Sequence, residues 1–457
     1  MLDLLRRRWK FFLIVGALGL AMRLLFIHFE RAWDEDADVY AELGRNLLLH
    51  GNYGMTQGTE ILPSLIRLPG YPLLLGFAQI LFHTHWVKAV LLLQTAVDMA
   101  GCLLLAEFAR RQASERAALW AFALGALCPF TAAYAASVLT ESLSIFAVTL
   151  ALYAFALVFS GKERPQGLLL LAAAAMLAML LRPDGVLLLV AELVALGVYL
   201  RRDRLRNVAL VAMLAVLPLF PWAARNWETF HVIEPLAPRH VNNPGEPVNL
   251  GFYRWLRTWS TDLSDTSQVY WQVGTGAIDT GSLPPRAFDS EDQRARTFAL
   301  IAEYNRSHAL DATLDARFAA LAAERIHAHP VSYYVVIPAW RVADMWLRPR
   351  TEALGLDVFW WAFPAHAAES WIAVALGVLN GLYVVCALAA FVQRRAPLAV
   401  FSGGYLLLRC VVLGTMENSE PRYTLEGFPI LILCAAVTLA AWLGAQARFA
   451  PAQLEES

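Results

Sequence analysis

The chain has 457 residues, of which 58% are hydrophobic and 16% are charged, and its mean hydropathy is +0.49. These values lie outside the range of soluble domains of this length, so lipid must solvate much of the surface. The net charge of -1 lacks the basic excess that nucleic-acid binding needs, which excludes that class of protein.

Ten segments are apolar enough to cross a bilayer, for which about 20 residues are needed. In chain order they cover residues 11–29, 87–109, 117–136, 142–160, 167–181, 185–200, 207–222, 370–392, 397–413 and 424–445. The shorter apolar run from Tyr71 to Phe82 is bracketed by prolines and histidines, so we predict a helix that lies at the interface. The pattern predicts an all-α polytopic membrane protein with about ten transmembrane helices, interfacial helices and a mixed outer loop region.

Basic residues indicate the orientation of these segments. They cluster in every second connection, near residues 6–10, 110–116, 162–164, 201–206 and 394–395. The positive-inside rule assigns those connections to the cytoplasm, so we predict a multi-pass protein of the bacterial inner membrane with both termini cytoplasmic. Because no small-residue cleavage site follows the first segment, we predict an uncleaved anchor rather than a signal peptide.

The same topology divides the chain into three regions. Residues 1–222 form a transmembrane module with the first seven spans and an outer loop over 30–86, residues 223–369 form an outer loop domain, and residues 370–457 carry the last helices and a cytoplasmic tail. Within the outer domain, an amphipathic helix is predicted over Glu291 to His329. The aromatic segment Val331 to Leu347 has a composition suited to the headgroup layer.

An acidic cluster follows the first span and contains Asp34, Glu35, Asp36 and Asp38. Helical spacing starts at Ala37, so Asp36 falls near a helix N-cap position. The cluster has two interpretations that its residues alone leave open. It is either a solvated turn with a capping aspartate, or it holds a carboxylate base at the membrane surface.

Motifs around this cluster resemble those of a known enzyme superfamily. Asp36 and Tyr40 form an Asp-x-x-x-Tyr helix start, a His-Gly-x-Tyr turn ends at Tyr53, and an Arg-x-Pro-Gly-Tyr-Pro segment starts at Arg67. Further motifs follow in the same order at residues 139–143, 181–185, 221–227, 329–334 and 420–423. The chain thereby resembles the GT-C-type glycosyltransferases, the superfamily of protein O-mannosyltransferases and the lipid A aminoarabinose transferase. The resemblance covers the N-terminal half and hardly touches residues 230–320.

The resemblance implies which acids carry the chemistry. In such enzymes an acid of the first outer loop deprotonates the acceptor hydroxyl, and Asp36 occupies that place. Many relatives carry a second acid directly afterwards, where this chain has Ala37, so the choice of base among Asp34 to Asp38 stays open. The acid of the second outer loop corresponds to Glu141, for which a helix-dipole role is the alternative. The predicted catalytic residues are Asp36, Glu141 and Asp34.

The resemblance also implies a sugar donor linked to polyprenyl phosphate, and cations are required to stabilise the negative charge of this leaving group. Four arginines at the outer side suit this role, namely Arg67, Arg182, Arg225 and Arg422. For each, snorkelling at the interface is the alternative. The motif tyrosines Tyr40 and Tyr423 complete the predicted substrate-binding set. Arg23 and Arg409 lie in or near spans and call for partners, for which Asp98 and Glu192 are available.

Metal use is undecided by the sequence. Asp34, Asp36 and Asp38 offer the carboxylates that a divalent metal would take. The His-x-His pairs ending at His85 and His329 do not favour a metal site, since residues two apart on a helix face different ways. All five cysteines lie in apolar segments without a Cys-x-x-Cys pair, so no zinc site or disulfide framework is indicated.

We therefore predict an inverting membrane glycosyltransferase that moves a hexosyl or pentosyl group from a polyprenyl-phosphate donor to a glycan, lipid or protein acceptor on the periplasmic side. The chain has no Walker loop and no Gly-x-Gly-x-x-Gly motif, in agreement with a lipid-linked donor. The alternatives are a transporter or flippase of lipid-linked sugars and a non-catalytic assembly protein of the same fold. No internal repeat supports a transporter built from inverted halves.

Overall fold

The structure is a computed structural model that describes residues 1–29, 35–363 and 365–443. The described chain is mainly helical and divides into two compact units. The first unit comprises Met1–Glu246, Leu382–Leu406 and Leu425–Ser457, and the second comprises Pro247–Gly381 and Leu407–Thr424. The predicted fold class, an all-α polytopic membrane protein, is confirmed.

The elements before residue 247 belong to the first unit. Its helices are α1 Leu2–Arg7, α2 Trp9–Phe29, α3 Glu35–His50, α4 Gly70–Phe82, α5 Trp86–Gln112, α6 Glu115–Ala126, α7 Pro129–Ala135, α8 Glu141–Phe159, α9 Arg164–Leu181, α10 Val186–Tyr199, α11 Arg204–Val216 and α12 Leu219–Phe230. A β-hairpin of β1 Gly54–Gln57 and β2 Glu60–Pro63 follows α3. Its antiparallel register pairs Gly54 with Pro63 and Gln57 with Glu60.

The remaining helices follow in chain order. They are α13 Leu250–Leu256, α14 Leu263–Asp265, α15 Glu291–Ser307, α16 Ala312–Ala328, α17 Ile337–Leu347, α18 Ala367–Val392, α19 Ala399–Gly414 and α20 Phe428–Trp442. Short 3-10 or π turns occupy His83–His85, Pro183–Gly185, Thr266–Tyr270, Thr280–Ser282, Pro285–Ala287, Ser332–Val336, Glu352–Leu354 and Pro421–Gly427.

Judged by length and composition, fewer helices of the described chain can cross a membrane than the ten predicted. Six helical stretches of the described chain are long and apolar enough to cross a membrane, or up to eight if α6–α7 and α11–α12 are each one bent span. Helices α10 and α19, with 14 and 16 residues, are shorter than a full crossing needs. The count of ten is therefore approximate.

Helices α4 and α5 form one helical stretch of 43 residues, interrupted at His83 by a backbone φ of 46°. At 1.5 Å per residue this stretch is roughly twice as long as a bilayer core is thick. The 27 residues of α5 suffice for a crossing, so α4 is not needed for one. Its interfacial position stays a prediction.

Glycine sets the distance between α3 and α4. A Cβ on Gly44 would lie 2.0 Å from the Pro72 carbonyl oxygen, and one on Gly76 would lie 2.5 Å from the Gly44 carbonyl oxygen. The buried residues of α3 include Ala37, Tyr40 and Gly44, which share one face at helical spacing. The backbones of α3 and α4 therefore pack in direct contact.

Arg23 and Asp98 join α2 to α5 inside the first unit. The Arg23 guanidinium, which is 0% exposed, donates from Nε to the Asp98 carboxylate at 2.6 Å and from Nη1 to the Ala126 carbonyl oxygen at 2.7 Å. Such pairing compensates part of the cost of burying both charges. Asp98, one of the two acids available to Arg23 and Arg409, is thus the partner of Arg23. Arg409 instead donates to the Tyr423 carbonyl oxygen, and Glu192 is fully buried without a hydrogen bond to any described residue.

The second unit has a core of its own, to which α13, α15 and α16 contribute aromatic side chains including Phe252, Trp255 and Phe318. The prediction of a single helix from Glu291 to His329 is wrong. The helix ends at Ser307, His308 adopts a φ of 51°, and the Asp311 carboxylate accepts from the Leu314 amide at 2.8 Å to start α16. A strong N-cap and a left-handed residue thus divide the predicted helix.

Candidate active site

The candidate active site lies in the first unit, where α3, the Arg67 segment, the start of α8 and the turn after α9 meet. Asp36 lies in the first turn of α3, which begins at Glu35, rather than at the predicted N-cap. Asp34 lies outside the described residues, so its predicted catalytic role stays a prediction.

Asp36 forms an ion pair with Arg67. The Arg67 Nη2 donates to Asp36 Oδ1 at 2.5 Å, and the side chains are 16% and 29% exposed for Arg67 and Asp36. A partly exposed carboxylate held by an arginine is both accessible and fixed in direction. Asp38 and Glu35 are exposed on the same helix.

Tyr40 lies one helical turn after Asp36 and is buried beneath this ion pair. The Arg67 guanidinium stacks over its ring at 5.5 Å, and the Tyr71 ring contacts it edge-on at 5.2 Å between centroids. The Tyr71 hydroxyl donates to Gln94 Oε1 at 2.7 Å, and Gln94 Nε2 donates to the Ser137 carbonyl oxygen at 2.7 Å. This chain of contacts connects α3 and α4 through α5 to the turn before α8.

Glu141 starts α8 from that turn and is 2% exposed. Its Oε1 accepts from Arg182 Nη1 at 3.1 Å, whereas its Oε2 makes no hydrogen bond to any residue that the structure describes. Arg182 Nε lies 3.2 Å from Asp184 Oδ1 and 3.4 Å from Glu426 Oε1. Three carboxylates therefore surround one arginine in the turn after α9.

The Asp36–Arg67 pair and the Glu141–Arg182 pair both act on the electrostatic environment of Tyr40. Burial raises the pKa of the Tyr40 hydroxyl; Arg67 and Arg182 oppose this rise, and Asp36 and Glu141 add to it. Burial would lower the pKa of the Arg182 guanidinium, but Asp184, Glu426 and Glu141 raise it well above its ordinary value. Arg182 is therefore permanently charged. The structure thus brings together five of the predicted residues: Asp36, Tyr40, Arg67, Glu141 and Arg182.

Arg225 has a different set of contacts in the same unit. Its guanidinium donates to the carbonyl oxygens of Ser64 at 2.8 Å and Tyr53 at 2.6 Å, and it stacks over the Tyr53, Trp222 and Phe230 rings. These contacts attach the hairpin loop to α12. They also use much of the hydrogen-bond donor capacity of the Arg225 guanidinium. Phosphate binding by Arg225 stays a prediction, and its contacts favour a positioning role.

Arg422 and Tyr423 belong to the second unit. Arg422 Nε lies 2.5 Å from Glu420 Oε2, and the Tyr423 hydroxyl donates to Glu420 Oε1 at 2.8 Å. The Asn418 amide donates to the same carboxylate oxygen at 2.9 Å. A buried carboxylate thus organises this segment, and the predicted phosphate contacts of Arg422 and Tyr423 stay predictions.

Sequence reasoning missed Glu426, Asp184 and Gln94 as parts of the site. Glu426 is 2% exposed and stands directly before α20. A charged side chain at the start of an apolar helix is a signal that could have identified it. Gln94 offers a weaker signal, as a single amide in the apolar face of α5.

A metal ligand set is not evident in the described part of the chain. No group of three or more His, Cys, Asp or Glu side chains among those residues is arranged to hold a metal ion. The Asp36 carboxylate is engaged by Arg67, and Asp38 lies on the exposed side of α3. Metal binding by Asp34, Asp36 and Asp38 stays a prediction.

Residues 67–224 match the family described as dolichyl-phosphate-mannose-protein mannosyltransferase (PMT_2). This segment contains Arg67, Glu141 and Arg182, and the resemblance to GT-C-type glycosyltransferases is confirmed. The match covers about a third of the chain. Among curated proteins, no match is found.

Two solved structures are similar to this chain at low sequence identity. One is the archaeal oligosaccharyltransferase AglB from Archaeoglobus fulgidus in complex with an inhibitory peptide and a dolichol phosphate, with 13% identity and a TM-score of 0.49 over 96% of this chain. The present chain spans about half of its length, 50%. The other is ArnT from Cupriavidus metallidurans bound to undecaprenyl phosphate, with 14% identity and a TM-score of 0.41 over 93% of this chain and 77% of that one.

Proposed function

We propose that this protein transfers a sugar, with inversion, from a polyprenyl-phosphate donor to an acceptor hydroxyl at the outer face of the bacterial inner membrane. The observation that carries the proposal is the convergence of Asp36, Arg67, Tyr40, Glu141 and Arg182 in one partly buried cluster. Three of these residues fall within the segment that matches a glycosyltransferase family. The hexosyl or pentosyl nature of the donor is part of the proposal.

The chemical step is a single displacement at the anomeric carbon. The acceptor oxygen forms a bond to that carbon while the bond to the phosphate oxygen breaks, and Asp36 takes the hydroxyl proton. Attack from the face opposite the leaving phosphate inverts the configuration. The products are the glycosylated acceptor and the polyprenyl phosphate.

Arg67 couples donor binding to the base. Its guanidinium pairs with Asp36 at 2.5 Å. When the donor phosphate binds Arg67, the Asp36 carboxylate is released towards the acceptor. Arg67 then stabilises the negative charge of the phosphate as the phosphate leaves. The donor thereby activates the base only when it is bound.

Arg182 has a positioning role, because its ion pair with Glu141 orients that carboxylate. Three carboxylate neighbours fix the position of Arg182. Glu141 Oε2, which no described residue hydrogen-bonds, is left to accept a hydrogen bond from a sugar or acceptor hydroxyl. Positive charge on Arg182 adds to the field at the leaving phosphate. In this scheme Glu141 orients the substrate and is the second candidate for the base.

Asp36→Asn tests the proposal, since it keeps the size of the side chain and removes the proton acceptor. We expect the rate of polyprenyl-phosphate release in proteoliposomes to fall by about 10² to 10⁴, the range typical of a general base. Labelled polyprenyl-phosphate hexose and pentose serve as donors with an extracted envelope glycolipid fraction as acceptor. Asp38→Asn, on the exposed face of the same helix, is the matched control and should cost much less.

A wild-type rate for Asp36→Asn together with inactivity of Glu141→Gln would move the base to Glu141. Movement of donor across the bilayer without release of polyprenyl phosphate in the wild type would contradict the transferase proposal and favour a flippase.

A further inference from the structure

A cleft between α2 and α5 lies apart from the residues assigned to the chemistry. It has a volume of about 420 Å³ and is lined by Leu24, Ile27, His28, Lys88, Leu91 and Leu92. This volume falls within the range of small-molecule sites in proteins. Leu91 is fully buried and forms its floor, whereas Leu24 and Leu92 are 42% and 43% exposed at its sides.

The two helices contribute the same pattern to the cleft. Helix α2 supplies Leu24, Ile27 and His28, and α5 supplies Lys88, Leu91 and Leu92, so each set contains residues three and four positions apart on one helical face. In both sets the basic residue stands nearest to the same end of the helix pair, because His28 is next to the last residue of α2 and Lys88 lies in the first turn of α5. The cleft therefore has a basic end and an apolar end.

The basic end is electrostatically suited to an anion. None of the six lining residues is acidic, and Lys88 forms no ion pair with any residue in the described ranges. An exposed lysine over an apolar wall matches an amphiphile with a negatively charged head and a hydrocarbon tail. Among the described residues, those that line the apolar end are leucines and an isoleucine, which offer no side-chain polar group to a soluble anion.

The surroundings decide which amphiphile is most accessible. Most residues of α2 are apolar, and only 17% of its most apolar stretch of 18 residues is buried inside the protein. Its surface, and the cleft that opens on it, therefore face lipid. The bilayer itself supplies phospholipid at high local concentration.

We propose that this cleft binds an anionic phospholipid of the membrane, with the headgroup phosphate on Lys88 and His28 and an acyl chain along Leu24 and Leu92. Such a lipid fills the space between α2 and α5 that side chains leave empty. It also places a fixed negative charge beside the start of α5.

Native mass spectrometry of the full-length protein in detergent tests the proposal, with phosphatidylglycerol and phosphatidylcholine added separately. We expect phosphatidylglycerol to bind more tightly, and Lys88→Gln to weaken its binding about fivefold, the effect of one cation near a lipid surface. Lys162→Gln is the matched control, since this exposed lysine lies outside the cleft. Leu92→Trp should displace the lipid by filling the cleft.

Equal binding of the two phospholipids, or equal affinities for Lys88→Gln and Lys162→Gln, would overturn the proposal. Preferential retention of undecaprenyl phosphate over phosphatidylglycerol would overturn it as well, because the cleft would then belong to the carrier lipid. Melting temperatures of all variants identify any loss of fold. None of these measurements depends on sugar transfer.

Discussion

At the scale of single residues, burial shifts the pKa of several side chains of this protein. Asp344 in α17 is the clearest case outside the proposed spans. Burial raises the pKa of its carboxyl group to about 7, Arg348 opposes the rise, and Asp262 and Asp265 add to it. One of its oxygens, Oδ2, is buried without a hydrogen bond to a described residue. The folded protein therefore retains this proton at pH values where an unfolded chain has lost it.

A pH-dependent stability follows from Asp344. Between the ordinary pKa near 4 and about 7 the folded state binds the proton more tightly, so the free energy of unfolding falls as the pH rises through this window and levels off above it. Asp344→Asn removes this effect and should raise the free energy of unfolding at pH 8 above that of the wild type by up to about 4 kcal/mol, since each pKa unit corresponds to about 1.4 kcal/mol. Thermal unfolding in detergent from pH 4 to 8 measures it.

Asp292→Asn provides the control, because the Asp292 side chain is 78% exposed. It should leave the pH profile of the wild type unchanged. A profile of Asp344→Asn that keeps the wild-type slope between pH 4 and 7 would assign the proton to another group, of which Asp265 is the nearest candidate with a raised pKa.

At the scale of elements, the α3–α4 contact determines where the candidate base points. Helix α3 carries Asp36 and Tyr40, and α4 carries Tyr71, whose ring lies 5.2 Å from the Tyr40 ring. The carboxamide of Asn46 donates to the Gly54 carbonyl oxygen at 2.9 Å and fixes the hairpin to the same helix. Gly44 and Gly76 permit this approach because neither has a Cβ.

Gly44→Ala tests the importance of this contact. Its Cβ would lie 2.0 Å from the Pro72 backbone oxygen, so α3 must shift. We expect a loss of about 1 to 3 kcal/mol in stability, as for other overpacked sites. The rate of sugar transfer should fall at least tenfold, because a displacement of about 1 Å at a reacting group can lower the rate by about 10²-fold.

Gly197→Ala is the corresponding control in α10, where a Cβ would meet nothing within 4 Å. Alanine there should be neutral or slightly stabilising, because glycine is the poorer helix former. An unchanged melting temperature and rate for Gly44→Ala would show that α3 and α4 can separate without cost.

At the scale of the whole molecule, the two units differ in their relation to known proteins. The family match covers residues 67–224 and falls entirely in the first unit. The second unit builds an aromatic core from residues outside this match. The division of the chain at residues 222 and 369 stays a prediction.

The topology itself is testable with reporter fusions. Reporters placed after Arg111, Arg164 or Arg204 should report the cytoplasm, because basic residues concentrate in these connections. Fusions after Thr56 or Asp289 should report the outer side. An outer signal at Arg111 would mean that α4 spans the membrane, and Glu141 would then lie on the cytoplasmic side.

The sequence by itself determined the membrane class, most of the helical segments and four charged residues of the candidate site, namely Asp36, Arg67, Glu141 and Arg182. Apolar runs and basic connections are local in the chain, and so are the motifs around Asp36, Arg67, Glu141 and Arg182. It failed where a local feature breaks a pattern, as at His308 and Asp311 within the predicted helix of the second unit.

Only the tertiary structure decided which of these groups meet. Glu426 reaches Arg182 from the far end of the chain, and Gln94 links Tyr71 to the turn before α8. It also separated Arg225, bound to two carbonyl oxygens, from Arg67, bound to the candidate base. Residues distant in sequence become partners through helix packing, and burial raises the pKa of groups such as Tyr40 and Asp344. Neither effect is encoded in local spacing.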